Sequence, residues 1–277
     1  RNIVNRCPQI INIEALMKQY PTTYEESMNT VLVQEAIRYN KLLSVIKKSL
    51  NDLQRAIRGE MVMTQELEKM GNSLFDNIVP SNWESVAYPS LKPLSSWVDD
   101  LIERLEFINQ WIKNGTPCIY WISGFFFPQA FLTGTLQNFA RKHVKPIDTV
   151  SFSFEVMKQS EQELKAKYPN GPEDGCYIKG LFLEGCRWNY QEWCLDDSRA
   201  KELFVEMPVI WLKPVIDRQV PSEGVYKCPV YKILTRCGQL STTGHSTNFV
   251  MNIELPSKEE EKKWVKAGVA MFCALKY

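Results

Sequence analysis

The stretch GFFFPQAFLTGTLQNFARKH, Gly124–His143, decides how this chain is read. Three phenylalanines run into Pro128, and proline suits the first helical turn, where its missing N–H leaves no bond unmade. Leu132, Leu136 and Phe139 then recur at helical spacing. Arg141, Lys142 and His143 fall in the last turn, where the helix dipole favours cations. The helix carries no catalytic group. Its expected role is packing, with Phe131, Leu132, Leu136 and Phe139 buried between a helical layer and a sheet.

Upstream of this stretch the chain reads as helical. Thr22 and Glu25 have capping-box spacing. Beyond them Met28, Leu32, Ala36, Tyr39, Leu43, Ile46, Leu50, Leu53 and Ile57 alternate by three and four residues, one apolar stripe ending near Gly59. A helix of that length spans roughly 50 Å. That is more apolar helix than one small sheet covers, so the stripe is expected to lie across a neighbour. A second helix is expected from Thr64 to Phe75, a proline-bearing loop from Val79 to Pro93, and a third helix from Leu94 to Lys113. The third buries Trp97, Leu101, Leu105, Ile108 and Ile112. Asn114-Gly-Thr116 matches a glycosylation sequon but reads as a helix end, with Gly115 as a left-handed cap before Pro117.

After Pro146 the pattern changes to period two: Val150, Phe152, Phe154 and Val156 alternate with Ser151, Ser153 and Glu155. Residues Cys176–Glu184, Val209–Leu212, Tyr226–Ile233, Asn248–Leu255 and Val269–Leu275 read as further strands. Prolines at 208, 214, 229 and 256 are expected at strand ends or edges. One helix, Lys258–Lys266, is expected behind a capping box formed by Ser257 and Glu260. Helices first and strands later predict an α+β fold: an N-terminal helical layer with one long helix, then a small antiparallel β-barrel or sheet. The expected division is a helical subdomain at 1–145 and a β-barrel-like subdomain at 146–277.

Composition narrows the function. Lys and Arg number 33 against 32 Asp and Glu, so no charge excess favours nucleic acid or an anionic membrane as a partner. No apolar run reaches the roughly 20 residues a bilayer span needs. The chain starts at Arg1 without a secretory leader, which suggests a fragment of something longer. Eight cysteines form no CxxC and only two histidines are present, so neither a zinc site nor another bound cofactor is expected and the thiols read as reduced.

Catalytic signals are equally thin. No GxxxxGK[ST] occurs, and no glycine is followed by lysine, so the residue that would reach a nucleotide's β/γ-phosphates is missing. His245, in Thr243-Gly244-His245-Ser246, is the best acid–base candidate. It lacks any sign of an orienting partner, and Gly244 reads as a turn between strands. His143 reads as a dipole complement or a surface residue. Asp99 and Asp100 are adjacent on a helix and point about 100° apart, so they do not converge on one ion. Asp196 and Asp197 read as a polar loop with an Asx-type cap. Glu259–Glu261 with Lys262 and Lys263 reads as a solvated helix face. Trp188, Tyr190 and Trp193, interleaved with Arg187, Gln191 and Glu192, fit a partner-binding anchor and a loop tucked onto the sheet equally well. No catalytic, cofactor-binding or metal-binding residue is therefore assigned.

Six segments in order carry a resemblance. They are the opening stretch, DGCYIKGLFLEGCRWN (Asp174–Asn189), MPVIWLKP (Met207–Pro214), YKCPVYKI (Tyr226–Ile233), LSTTGHSTNFVMNIELP (Leu240–Pro256) and the closing WVKAGVAMFCALKY. Together they resemble the C-terminal domain of dynein heavy chains over most of residues 120–277. STTGHSTNFV and RWNYQEW look more like ciliary (axonemal) heavy chains than the cytoplasmic transport type. One departure is GVAMF, where family members often close on a GVALL-like strand.

The resemblance implies a non-catalytic domain that packs on the AAA+ ring of its own heavy chain and modulates ATP-driven, microtubule-based motility in cilia. It places the parent in the cytoplasm and cytoskeleton, at the ciliary axoneme. Microtubules would be met only through other parts of the parent, which would also carry dynein intermediate and light chains. The first ~20 residues are a candidate for the edge of the last AAA+ module. The competing expectation is a stand-alone β-barrel module that binds a small ligand or peptide. An enzyme using His245 comes third. A closed apolar cavity in the second half favours the barrel, and an extended apolar face on the helices favours ring packing.

Overall fold

The computed structural model describes residues 2–219, 221, 223–236 and 248–277. The helices in chain order are α1 (Asn2–Arg6), α2 (Ile13–Gln19), α3 (Ser27–Ile57), α4 (Gln65–Phe75), α5 (Ser81–Glu84), α6 (Leu94–Asn114), α7 (Pro128–Lys142), α8 (Glu161–Lys167) and α9 (Glu261–Ala267). The strands are β1 (Ile119–Trp121), β2 (Val150–Val156), β3 (Cys176–Lys179), β4 (Phe182–Glu184), β5 (Arg187–Asn189), β6 (Cys194–Asp196), β7 (Phe204–Glu206), β8 (Ile210–Ile216), β9 (Val225–Tyr231), β10 (Phe249–Pro256) and β11 (Ala270–Phe272). The α+β order read from the sequence holds.

The long helix α3 is the spine of the molecule. Every residue of its apolar stripe is buried except Ile57, and Tyr39, Leu43 and Ile46 are fully enclosed. The expectation that this stripe lies free for a neighbour is therefore wrong. Helices α2, α4, α5, α6 and α7 cover it within the same chain. Its start is set by tertiary contacts rather than by Thr22 and Glu25. Glu26 caps the helix by accepting the Met28 N–H at 2.8 Å, and it also accepts from the Asn138 amide at 2.6 Å. Ser27 N–H donates to Asn138 Oδ1 at 2.9 Å, so α7 supplies half of the cap.

Helices α4 and α6 match their expected spans to within one residue. Thr64 accepts the Leu67 N–H as the α4 cap. Gly115 ends α6 at φ 89° and ψ −174°, a positive-φ extended geometry rather than a left-handed helical one. Pro128 opens α7 as expected. Phe131 and Leu132 are buried, whereas Leu136 and Phe139 are only half-buried. Helix α7 lies between α3 on one side and β2 and β8 on the other.

Among the described residues, the expected β region takes the form of open sheets and a hairpin rather than a closed barrel. One sheet runs β1-β3-β8-β2, the other β10-β9-β11-β4-β7, and β5 pairs with β6. The pairings are antiparallel except β1 with β3 and β11 with β9. Strand β1, from the first half of the chain, completes the first sheet, and one hydrophobic cluster runs through both halves.

The expected strand Cys176–Glu184 is two strands in different sheets. Gly180 breaks it at φ 91°, and a Cβ there would sit 2.4 Å from Trp121 Cδ1. Pro214 and Pro229 lie inside β8 and β9, not at their ends. Each stands where its strand has one neighbour: β3 pairs only with residues 210–212 of β8, and β11 only with residues 230 and 231 of β9. Pro208 and Pro256 do sit at strand limits. The described residues of the second half also hold α8, a helix that the sequence reading lacks, besides α9. Ser160 and Glu163 form a complete capping box on α8. Ser257 and Glu260 do not, because the Ser257 hydroxyl accepts from the Glu259 N–H and from the buried Trp264 indole, and α9 starts at Glu261.

Candidate functional site

The three phenylalanines meet a buried charged cluster that sequence spacing did not show. Glu35, at mid-α3, is fully enclosed, and its carboxylate accepts the backbone N–H groups of Phe126 at 2.6 Å and Phe127 at 3.0 Å. Burial pushes its pKa above the ordinary glutamate value, against the pull of those two N–H groups and of Arg38 and Arg104. On α6, Arg104 Nε donates to Asp100 at 2.7 Å and Lys92 Nζ approaches the same carboxylate at 3.1 Å. Burial alone would raise Asp100, but the two cations prevail and hold it below the usual carboxylate range. The Arg104 guanidinium also lies 3.8 Å from the centre of the Tyr88 ring. Tyr39 OH donates to the Gly124 carbonyl at 2.6 Å.

This cluster fixes the loop that launches α7. Phe125 stacks on Phe131 at 4.6 Å, and Phe126 meets Tyr39 and Tyr88 edge to face. Phe127 faces out, flanked by Arg38 at 5.4 Å and Lys232 at 5.6 Å. The charges are satisfied by each other and by backbone, so the arrangement locks geometry and presents no nucleophile beside a base. The sequence signal available was the i,i+4 spacing of Asp100 and Arg104 within an otherwise apolar face.

The residues singled out from sequence are dispersed. His245 and Cys237 lie outside the described residues. His143 caps α7, lies tilted against Phe139 with ring centres 4.3 Å apart and reaches Asp174 at 3.1 Å. Asp99 and Asp100 diverge as expected: Asp99 pairs with Arg6 at the surface, and Asp100 points inward. Asp196 is not in a loop. It lies on β6 and pairs with Arg187 and Asn189 across the hairpin, while Asp197 meets Lys263. Lys263 also approaches Glu259 at 3.7 Å, the expected i,i+4 pair. Among the described residues, no group of three His, Cys, Asp or Glu side chains could hold a metal ion. No described helix is long and apolar enough to cross a membrane.

Two of the three rings of the aromatic group are tucked onto the sheet, as one of the two sequence readings has it. Trp188 is buried, and the Trp193 indole donates to the Val156 carbonyl at 2.8 Å, tying the β5–β6 hairpin to the edge of the first sheet. Tyr190 remains exposed against Trp193. That edge is further closed by Arg218, which bonds the Phe152 carbonyl and Glu254 of β10. The described residues of the second half form an open cleft beside the first sheet. Its volume is about 520 Å³, and it runs beside Phe154, Tyr177 and Trp211.

Known proteins give this architecture a family. The family profile for the C-terminal domain of the dynein heavy chain matches residues 1–273. The chain is 56% identical over its full length to dynein axonemal heavy chain 1 of Rattus norvegicus and of Homo sapiens. It is 49% identical over 99% of its length to dynein axonemal heavy chain 3 of Homo sapiens. In each case it spans only 6–7% of the relative's own length. An α+β architecture covered by the family profile at residues 1–273, and matched end to end by these relatives, places the protein in the family of C-terminal domains of dynein heavy chains.

Proposed function

We propose that this domain packs on the AAA+ ring of its own heavy chain and modulates ATP-driven, microtubule-based motor output in the ciliary axoneme. The observation that carries the reading is the 56% identity, over the whole chain, to axonemal heavy chains of which it forms a small part. ATP hydrolysis and microtubule contact fall to other parts of such a protein, consistent with the missing phosphate-binding lysine. The first ~20 residues form the edge of the last ring module, and residues 1–145 and 146–277 act as its helical and β-rich parts.

Because the α3 stripe is spent on the domain's own core, docking has to use other surface. Ile57, Val62, Phe75 and Ile78 along the α3–α4 hairpin and the segment after it are exposed, Phe75 by 91%. These exposed apolar side chains are the candidates for that docking surface. Coupling to the motor requires contacts that differ between at least two ring states.

The test compares three parent heavy chains: intact, lacking residues 26–277, and carrying Val62→Glu with Phe75→Glu. Velocity, force or run length should change in both altered chains while nucleotide still binds the ring. If both move microtubules as the intact motor does, the regulatory role is wrong. The isolated domain should show no ATP turnover; turnover abolished by His245→Ala would support the enzyme reading instead.

A further inference from the structure

We propose that the cleft between α6 and the second sheet receives an arginine- or lysine-bearing segment of a protein partner. The cleft has a volume of about 650 Å³. Its floor is aromatic: Phe107 and Trp121 meet edge to face at 6.2 Å, and Phe182 of β4 lies alongside. Ala274 and Leu275 add an apolar wall.

Its rim is negative. Glu103 and Glu106 sit one turn apart on α6, and Glu206 lies directly across from Phe182 in the β4–β7 pair. Glu106 accepts from the neutral amide of Gln110, and none of the three carboxylates is paired with a described cation. The two lysines that line the cleft are already committed, Lys92 to Asp100 at 3.1 Å and Lys179 to Glu161 at 2.7 Å. The cleft therefore presents uncompensated negative charge above π faces.

Charge complementarity selects the occupant. Arg104 already approaches the Trp121 ring at 6.0 Å, so an incoming guanidinium or ammonium would lie over Phe107 beside Trp121 while bonding a rim carboxylate, and its methylene stem covers the apolar wall. The same rim repels phosphate, so nucleic acid and anionic lipid do not fit. This site is independent of the ring-packing reading, and either can fail alone.

The test titrates the 277-residue protein with the peptide Ac-Gly-Leu-Arg-Leu-Arg-Gly-NH2 and with its counterpart bearing Glu in place of both Arg. The readout is the Trp121 indole N–H resonance in proton–nitrogen spectra, assigned with Trp121→Phe. A saturable shift is expected with the arginine peptide only, weakening as salt rises. Glu103 and Glu206 are exposed, so Glu103→Gln with Glu206→Gln should leave the fold intact and weaken binding about tenfold. Equal affinity in that variant, comparable binding of the glutamate peptide, shifts centred elsewhere, or no saturable shift in the millimolar range would each overturn the proposal.

Discussion

The Glu35 carboxylate accepts the Phe126 N–H at 2.6 Å across 91 residues of sequence, tying the middle of α3 to the entry of α7. Helix α3 thereby fixes where the distant α7 begins. The cost is a carboxylate held away from water, offset by two backbone donors and Arg38.

Two buried carboxylates should respond to pH in opposite directions. Asp100 is held below its ordinary value, so its contribution is present above the unfolded pKa near 3.8 and is lost as pH falls through the folded value. Glu35 is held above its ordinary value of 4.5, so the folded protein keeps that proton longer, and stability is lost as pH rises through that window. Asp100→Asn should cost about 3 kcal/mol at pH 7 by leaving Arg104 buried without its anion. Urea melts from about pH 3 to 7 should show this penalty shrinking toward acid. The gap between wild type and Glu35→Gln should move against the wild type as pH rises. Parallel trends in the two variants would refute the assignment.

Phe131→Ala should destabilise by about 3–5 kcal/mol, because the ring is fully enclosed against Tyr120 and Phe125. Phe139→Ala should cost about 1 kcal/mol, since that ring is half-buried beside His143. Chemical denaturation distinguishes them, and equal costs would mean that α7 is seated differently.

Thiol labelling should follow burial. Cys176, Cys186 and Cys273 are pushed up to about 12 by burial, and Cys228 is also raised. Thiolate, the reactive form, is therefore scarce at these positions. Among the described cysteines, Cys118 and Cys7 are half-buried and should react first, Cys118 ahead because burial also raises Cys7. Mass spectrometry after brief alkylation reads the order, and early modification of Cys176 in the folded protein contradicts it.

The hairpin rings differ in burial, so their substitutions should differ in cost. Trp193→Ala removes the bond to Val156 and the packing on Trp188, and should cost about 2–4 kcal/mol. Tyr190→Ala should change stability by less than about 0.5 kcal/mol, leaving any effect on motor output of the parent attributable to surface contact. A large stability loss at Tyr190 would make the exposed ring structural after all.

Gly180→Ala is expected to destabilise by more than about 2 kcal/mol. It combines a positive φ with a clash against the Trp121 indole. A neutral outcome in thermal melts would show that the β3–β4 break relaxes freely.

The sequence by itself determined what is local. Apolar spacing and end signals marked α4, α6 and α7, and alternation marked β2, because these signals act within four residues along one element. Six ordered segments carried the family. Beyond the i,i+4 pair Asp100 and Arg104, the candidate cleft and the buried charge cluster were not legible, since their members come from α3, α6, β1, β4 and β7 and share no common period. Only the tertiary structure decided that the α3 stripe faces inward, that Gly180 sends two strands to different sheets, and that Pro214 and Pro229 stand where one neighbour is absent. The physical reason is that burial and strand pairing depend on which surfaces meet, and partners as far apart in sequence as Glu35 and Phe126 leave no spacing to read.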